Sequence, residues 1–168
     1  MVTGKLSYLP LTMPPGTIGP GTISASASGG ADVDAFQSQL SLPEPIQIDK
    51  SNLLPGTQIS MSRPLTVTWT GGSADLLVRV RLGFAYGRVD SSYYERSTTG
   101  DKGSLTLTPI KSGSLTYFPG VASGPGLSVT VLISPVAPRQ SITVPGFDEP
   151  IPQTWTYVFT FSGLVQVN

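Results

Sequence analysis

The side chains best suited to recognising a ligand form a short cluster in the middle of the chain. They are Arg88, Tyr93, Tyr94 and Arg96, in a polar segment at 87–103. Tyrosine and arginine combine a large contact area with directed hydrogen bonds, and both are enriched in binding hot spots. Successive side chains of a strand face opposite sides, so at least one of the adjacent tyrosines should be exposed. We expect any recognition to use this surface. The alternative is a solvated edge hairpin whose charges keep other strands from pairing.

The carboxylates give little support for catalysis. The chain has no Cys and no His, which excludes disulfides, thiolate nucleophiles and Cys or His zinc sites, and removes the usual general base. Asp148 and Glu149 are adjacent beside a proline, whereas a glycosidase needs two carboxyl groups about 5–10 Å apart across a cleft. No Gly-x-Ser-x-Gly motif occurs, and the two Gly-Gly pairs lack the downstream helix of a phosphate-binding loop. We therefore predict that the chain is not an enzyme and has neither catalytic residues nor a cofactor.

Two aspartates, Asp32 and Asp34, follow Gly29-Gly30 and raise the question of a calcium site. Calcium takes several carboxylate and carbonyl oxygens presented by one loop, and no Asp-x-Asp-x-Asp-Gly loop is present. Aspartates also cap glycine turns by accepting hydrogen bonds from nearby backbone N–H groups. We predict turn capping and no metal at these residues, with calcium as the alternative.

The composition argues against two classes of partner. Its ten Lys and Arg residues are spread along the chain and the formal net charge is zero, so the clustered basic surface of a nucleic-acid binder is absent. No apolar run reaches the roughly 18 residues of a membrane helix. Residues 1–5 contain one Lys but no following apolar segment, so they are not a signal peptide. If the protein is exported, we expect its signal to lie outside this sequence.

The elements that must position these side chains are strands. In Leu65–Gly72 the alternation places Leu65, Val67 and Trp69 on one face, and the Gly pair ends the strand. In 76–86 six large apolar residues alternate strictly, which leaves little room for a helix. Similar alternation occurs at 127–133 and 155–161, so we expect Trp69 and Trp155 to be core residues rather than exposed platforms.

These patterns predict an all-β fold of nine or ten short strands in one domain, residues 1–168. Residues 1–20 would contribute an edge strand and a Pro/Gly-rich linker. An immunoglobulin-like or fibronectin-like two-sheet antiparallel sandwich is favoured over a jelly roll, because a mid-strand Trp and an aromatic last strand suit it. We expect 66–70 and 76–86 to form a hairpin, and 111–117 to hold at most one helical turn.

Three segments also resemble a known kind of module. Gly29–Phe36 after Pro20-Gly21-Thr22, then Leu65–Gly72, then Val144–Asp148 are similar in order and spacing to the β-sandwich module at the C-terminal end of many exported soil-bacterial proteins. Those modules have Gly where Asp34 stands. The resemblance covers most of 20–150 and implies an extracellular or cell-surface location and a sandwich fold, without an activity. It also implies that 1–168 is part of a longer exported chain.

The sequence thus predicts a non-catalytic structural or adhesive module of an exported or cell-surface bacterial protein. Its partner would be a protein or a glycan at the cell surface, with no nucleic acid and no membrane span. A carbohydrate-binding module is the alternative and needs at least two exposed aromatics on one surface. A viral or phage shell protein is the third possibility, because a Pro-, Thr- and Ser-rich all-β composition is ordinary in shells.

Overall fold

The computed structural model describes residues 20–31, 34–84, 93–113, 115–117, 127–137, 140–143 and 149–167. Arg88, Asp32 and Asp148 lie outside these residues, as does almost all of the predicted N-terminal strand and linker. Within the described residues the chain is all-β, and its helical structure is a single 3₁₀ turn at Gly100–Lys102. The predicted all-β class is therefore confirmed.

Fourteen strands are present in the described part of the chain, more than the nine or ten predicted, because several are only two or three residues long. In chain order they are β1 Gly21–Ala27, β2 Phe36–Leu42, β3 Gln47–Ile48, β4 Gln58–Ser60, β5 Leu65–Thr70, β6 Leu76–Phe84, β7 Tyr93–Thr99, β8 Ser104–Leu107, β9 Ile110–Ser112, β10 Leu115–Tyr117, β11 Leu127–Pro135, β12 Gln140–Ile142, β13 Ile151–Gln153 and β14 Tyr157–Val167.

Two sheets carry the core. The larger has the order β4-β14-β11-β6-β7, and the smaller has the order β3-β5-β8. Three two-stranded pairs, β1–β2, β9–β10 and β12–β13, complete the described sheets. All pairs are antiparallel except β4–β14, which is parallel, so the expectation of purely antiparallel pairing is wrong there. Several mainly antiparallel sheets are consistent with a β-sandwich.

The two sheets share a hydrophobic cluster. Alternate side chains of β11, starting at Leu127, are almost fully buried, and the same holds for β6 from Leu76. Leu65, Val67 and Trp69 of the smaller sheet belong to the same cluster, as the period-two pattern predicted. Leu53, in the loop before β4, is buried there too although it belongs to no strand.

The predicted hairpin between β5 and β6 is wrong. β5 pairs with β3 and β8, whereas β6 pairs with β11 and β7, so the chain crosses from one sheet to the other after Thr70. At the crossing, Gly71 and Gly72 have φ of 78° and 94°, a region that favours glycine. The glycines that suggested a hairpin turn instead let the chain leave the smaller sheet.

The crossing is fixed to the 3₁₀ turn by Trp69. Its indole Nε1 donates a buried hydrogen bond to the carbonyl oxygen of Gly100, 2.8 Å away. An added Cβ at Gly72 would lie 2.9 Å from that same oxygen, so the two backbones touch. We name this contact of Trp69, Gly72 and Gly100 the sheet junction.

Segment 111–117 also differs from the prediction. Its described residues form the β9–β10 pair, in which Tyr117 lies opposite Ile110 and Leu115 opposite Ser112. Gly113 has φ of 61° in the turn, a conformation that glycine adopts without strain. The expectation of at most one helical turn is not contradicted, because the described residues of this segment contain none, but it did not include these strands. The pattern here was too short to separate a hairpin from a helix, since each strand has only three residues.

Candidate functional site

The strongest polar cluster of the described residues lies on the outer side of the larger sheet. β6 turns Val78, Val80 and Leu82 toward the core, so its intervening residues face away from it. The β6–β7 register places Arg81 opposite Glu95 and Gly83 opposite Tyr93. Directly opposed residues of an antiparallel pair project from the same face. The fold therefore gathers arginines from β6 and a tyrosine and a glutamate from β7 on one outward surface.

Arg81 is held by its two neighbours. Its Nε and Nη2 atoms donate to Oε2 of Glu95 at 3.0 and 2.9 Å. Its guanidinium carbon lies 4.2 Å from the centre of the Tyr93 ring, close enough for a cation–π contact. Tyr93 itself remains 52% exposed. We name this surface the Arg–Tyr face and define it by Arg79, Arg81, Tyr93 and Glu95.

Arg79 differs from Arg81 in having no acid opposite it. The residue across on β7 is Ser97, and the residue across on β11 is Leu132. Its Nε atom is buried and makes no hydrogen bond to any residue that the structure describes. A buried donor of this kind costs about 1–3 kcal/mol. The Arg–Tyr face thus contains one neutralised arginine and one that is not.

The predicted cluster does not form a single surface. Tyr94 and Arg96 lie on the opposite side of β7 from Tyr93. Tyr94 is only 8% exposed and belongs to the hydrophobic cluster. Arg96 Nε donates to its hydroxyl at 2.7 Å, and that hydroxyl donates to the carbonyl oxygen of Thr108 at 3.4 Å. Of the three predicted residues that the structure describes, Tyr93 alone is on the Arg–Tyr face, and Arg88 is outside the described part.

Sequence reasoning did not select Arg79, Arg81 and Glu95. The alternation of β6 already placed both arginines on its non-core face. Their relation to Tyr93 depends on the register between β6 and β7, which carries no local sequence signature. Opposite charges were the available signal. Aligning the two predicted strands so that an arginine faces a glutamate would have placed Arg81 opposite Glu95, as the structure does.

A second polar position lies at the edge of the smaller sheet. An open depression of about 300 Å³ is lined by residues of β3 and β5 and by Asp49. One oxygen of Asp49 accepts from the backbone N–H of Ser51 at 2.9 Å, and the other accepts from the hydroxyl of Thr68 at 3.3 Å. The hydrogen bond from the Ser51 N–H is the main reason that the pKa of Asp49 is lowered. An ionised carboxylate satisfied by local donors stabilises a turn and is a poor general acid.

The remaining acidic positions form no centre that the structure describes. Asp34 and Glu149 are both exposed. No group of three His, Cys, Asp or Glu residues that could hold a metal occurs within the described ranges. The role of Asp32 and Asp34 as turn caps stays a prediction, because Asp32 lies outside those ranges.

The two tryptophans are not exposed platforms. Trp69 is buried in the hydrophobic cluster, as predicted. Trp155 is half-buried at the margin of that cluster, and its ring centre lies 5.1 Å from that of Tyr157. Tyr93 is therefore the large exposed aromatic residue on the described part of the Arg–Tyr face.

The fold and the site together define an all-β protein with a polar, aromatic-bearing sheet face. No family model, curated protein sequence or solved structure matches this chain. In the part of the chain that the structure describes, no helix has the length and apolar character needed to cross a membrane.

Proposed function

We propose that this chain is a non-catalytic structural or adhesive module, with an immunoglobulin-like two-sheet sandwich, of an exported or cell-surface bacterial protein. The observation that carries the proposal is the Arg–Tyr face, where Glu95 and Tyr93 hold Arg81 on the outer side of the larger sheet. The resemblance to modules of exported soil-bacterial proteins supports the location.

Rigidity is what makes this face suitable for adhesion. β6 lies between β7 and β11, and its core-facing side chains are fully buried beneath the arginines. A side chain anchored on such a strand loses little further freedom on binding, which lowers the entropic cost of association. The contacts of Arg81 with Glu95 and Tyr93 fix part of the surface in advance.

Carbohydrate binding is the second candidate. The exposed ring of Tyr93 supplies one of the two aromatics that such a module needs, because aromatic rings pack against the C–H face of sugars, and the described part of the Arg–Tyr face offers no second one. A glycan array with the purified chain separates the two candidates. Binding to defined glycans supports a carbohydrate-binding module, whereas adhesion to cells or proteins without glycan binding supports a protein-directed adhesive module.

The test of the main proposal uses the chain coated on beads, mixed with bacterial cells and with their purified surface material. Arg96→Ser tests the exposed part of the predicted cluster that lies off the Arg–Tyr face, and Arg81→Gln with Tyr93→Ser tests the observed face. Adhesion lost only with the second variant supports the Arg–Tyr face. No adhesion by the parent chain contradicts an adhesive role, and assembly into large particles in a solution mass measurement would indicate a shell protein.

A further inference from the structure

We propose that the Arg–Tyr face binds a polysaccharide containing uronic acids, with Arg79 holding a ligand carboxylate and Tyr93 packing on a sugar ring. This inference rests on the proposed adhesive function and names its ligand. It starts from the different surroundings of the two arginines on β6.

The pair of Arg81 with Glu95 shows how a carboxylate sits on this face. Both Nε and Nη2 of Arg81 donate to one carboxylate oxygen that arrives from the neighbouring strand. Two residues along β6, Arg79 lies opposite Ser97, just as Arg81 lies opposite Glu95. The side chain of Ser97 is a short hydroxyl without a charge. A ligand carboxylate would give the Arg79 guanidinium a charged partner, although not through Nε, which is buried. Arginine is the side chain best matched to a carboxylate.

The surroundings of Arg79 would strengthen such a contact. Leu132 lies directly across from it on β11, and Val158 lies across from Leu132 on β14. Val158 is 59% exposed, so an aliphatic strip borders the arginine. Low local polarity strengthens an ionic hydrogen bond. The strip also offers an apolar surface to the C–H face of a sugar.

The dimensions fit a chain of sugars rather than one. Tyr93 lies opposite Gly83, four residues along β6 from Arg79. At about 3.3 Å per residue, the two backbone positions are roughly 13 Å apart, and the Tyr93 ring reaches Arg81, which lies between them. A ligand that contacts both must be extended along the strand and must carry both negative charge and ring surfaces.

A polysaccharide fits this face better than an acidic protein segment. An extended peptide gains most of its affinity by hydrogen bonding to the free backbone edge of a sheet. Arg79 and Arg81 lie on β6, an inner strand whose backbone groups are used in the sheet, so a ligand that contacts them meets side chains; β7 is the edge strand of the described sheet, and binding of polyglutamate tests a peptide there. Tyrosine, arginine and hydroxyl side chains are the groups that recognise a sugar polymer.

The test measures binding of the full chain to polygalacturonate by isothermal titration calorimetry at low salt. Fully methyl-esterified polygalacturonate keeps the sugar backbone without its charge, and polyglutamate keeps the charge without sugars. We expect binding to polygalacturonate only. Arg79→Gln should weaken it about tenfold or more, since hydrogen bonds to charged groups are the stronger ones, and Tyr93→Ala should also weaken it measurably.

Ser97→Glu gives the sharpest variant. It should supply Arg79 with an internal carboxylate, as Glu95 does for Arg81, and so block the ligand. Ser97→Gln has nearly the same size without the charge and should retain binding. Arg63→Gln is the matched charge control, because Arg63 is exposed and follows β4, the edge of the sheet opposite to β7. All variants should keep the parent's far-UV circular dichroism spectrum.

Each outcome decides the inference. Equal loss with Arg63→Gln, or equal binding of polyglutamate, would show general charge attraction or an acidic protein partner and overturns it. Unimpaired binding by Ser97→Glu does the same. If the chain adheres to cells but ignores polygalacturonate, the uronate inference fails while the adhesive function stands. If it does neither, both fail.

Discussion

Replacing Trp69 tests whether the sheet junction holds the two sheets together. A Trp side chain buries about 150–250 Å², worth about 4–6 kcal/mol at 25 cal/mol per Å² as an upper estimate. Trp69→Ala should therefore lower the free energy of unfolding by about 3–5 kcal/mol, the range seen for large aromatic truncations. That is a large share of the stability of a typical domain.

Trp69→Phe separates the hydrogen bond from the packing. Phenylalanine keeps most of the apolar contact but leaves the Gly100 carbonyl without the indole donor 2.8 Å away. Gly100 is buried, so the lost partner should cost about 1–3 kcal/mol. Because Trp69→Ala removes both contributions, its cost should be clearly the larger of the two.

The assay is urea unfolding followed by far-UV circular dichroism, with the dependence on urea compared between variants. Trp155→Phe is the control, since Trp155 is half-buried at the core margin, and it should cost less than Trp69→Phe. A Trp69→Phe protein within about 0.5 kcal/mol of the parent would refute a stabilising role for the Gly100 hydrogen bond. A Trp69→Ala protein with unchanged stability would refute burial itself.

Four further results are expected. Gly72→Ala should destabilise more than Gly71→Ala, because both have positive φ but only at Gly72 does an added Cβ meet a neighbouring backbone; equal losses would leave φ as the sole cause. Burial, with a smaller contribution from a nearby glutamate, raises the pKa of Tyr157. Its neutral form thus stabilises the fold fully below the ordinary tyrosine pKa of about 10, and the contribution is lost as pH rises through the folded-state value. Unfolding measured from pH 9 to 11 should show this loss, and Tyr157→Phe should lack it. A double-mutant cycle on Arg81 and Glu95 should give about 0.2–1 kcal/mol, because both side chains remain partly exposed; a coupling near zero would mean that the pair orients Arg81 without stabilising the fold. Chelation by EDTA should leave the melting temperature unchanged, and a sharp fall would reveal a metal bound to the folded state.

The long strands were predictable because each is half-buried. In β5, large side chains alternate with threonines, and the structure buries Leu65, Val67 and Trp69 accordingly. The last strand was predicted to begin with an aromatic face, and Tyr157, Phe159 and Phe161 do pack against the core. A period-two pattern identifies such strands because one face of the strand is buried in the core while the other face stays exposed to solvent.

Strand partners were not predictable in the same way. Gly71 and Gly72 fit a hairpin turn by composition, but their role depends on the approach of Gly100, which is distant in sequence. The parallel pairing of β4 with β14 joins strands about a hundred residues apart, and no local pattern marks it. The candidate site was predicted only in part, because its contacts also depend on how the strands pair. Tyr93 was recognisable by type, whereas its contact with Arg81 exists only through the register of β6 and β7.

The order of strands in the larger sheet has a consequence for synthesis. β14 is the last strand in the chain and lies between β4 and β11 in the sheet. β4 can therefore join the rest of this sheet only after the chain has been synthesised to residue 167. Pairings over such long separations fold slowly, because loop closure is costly before the contacts form. A nascent chain that stops before Tyr157 would present β11 as an unpaired edge strand, a template for intermolecular association. Completion of this sheet is therefore more exposed to premature termination than that of a sheet built from neighbouring hairpins.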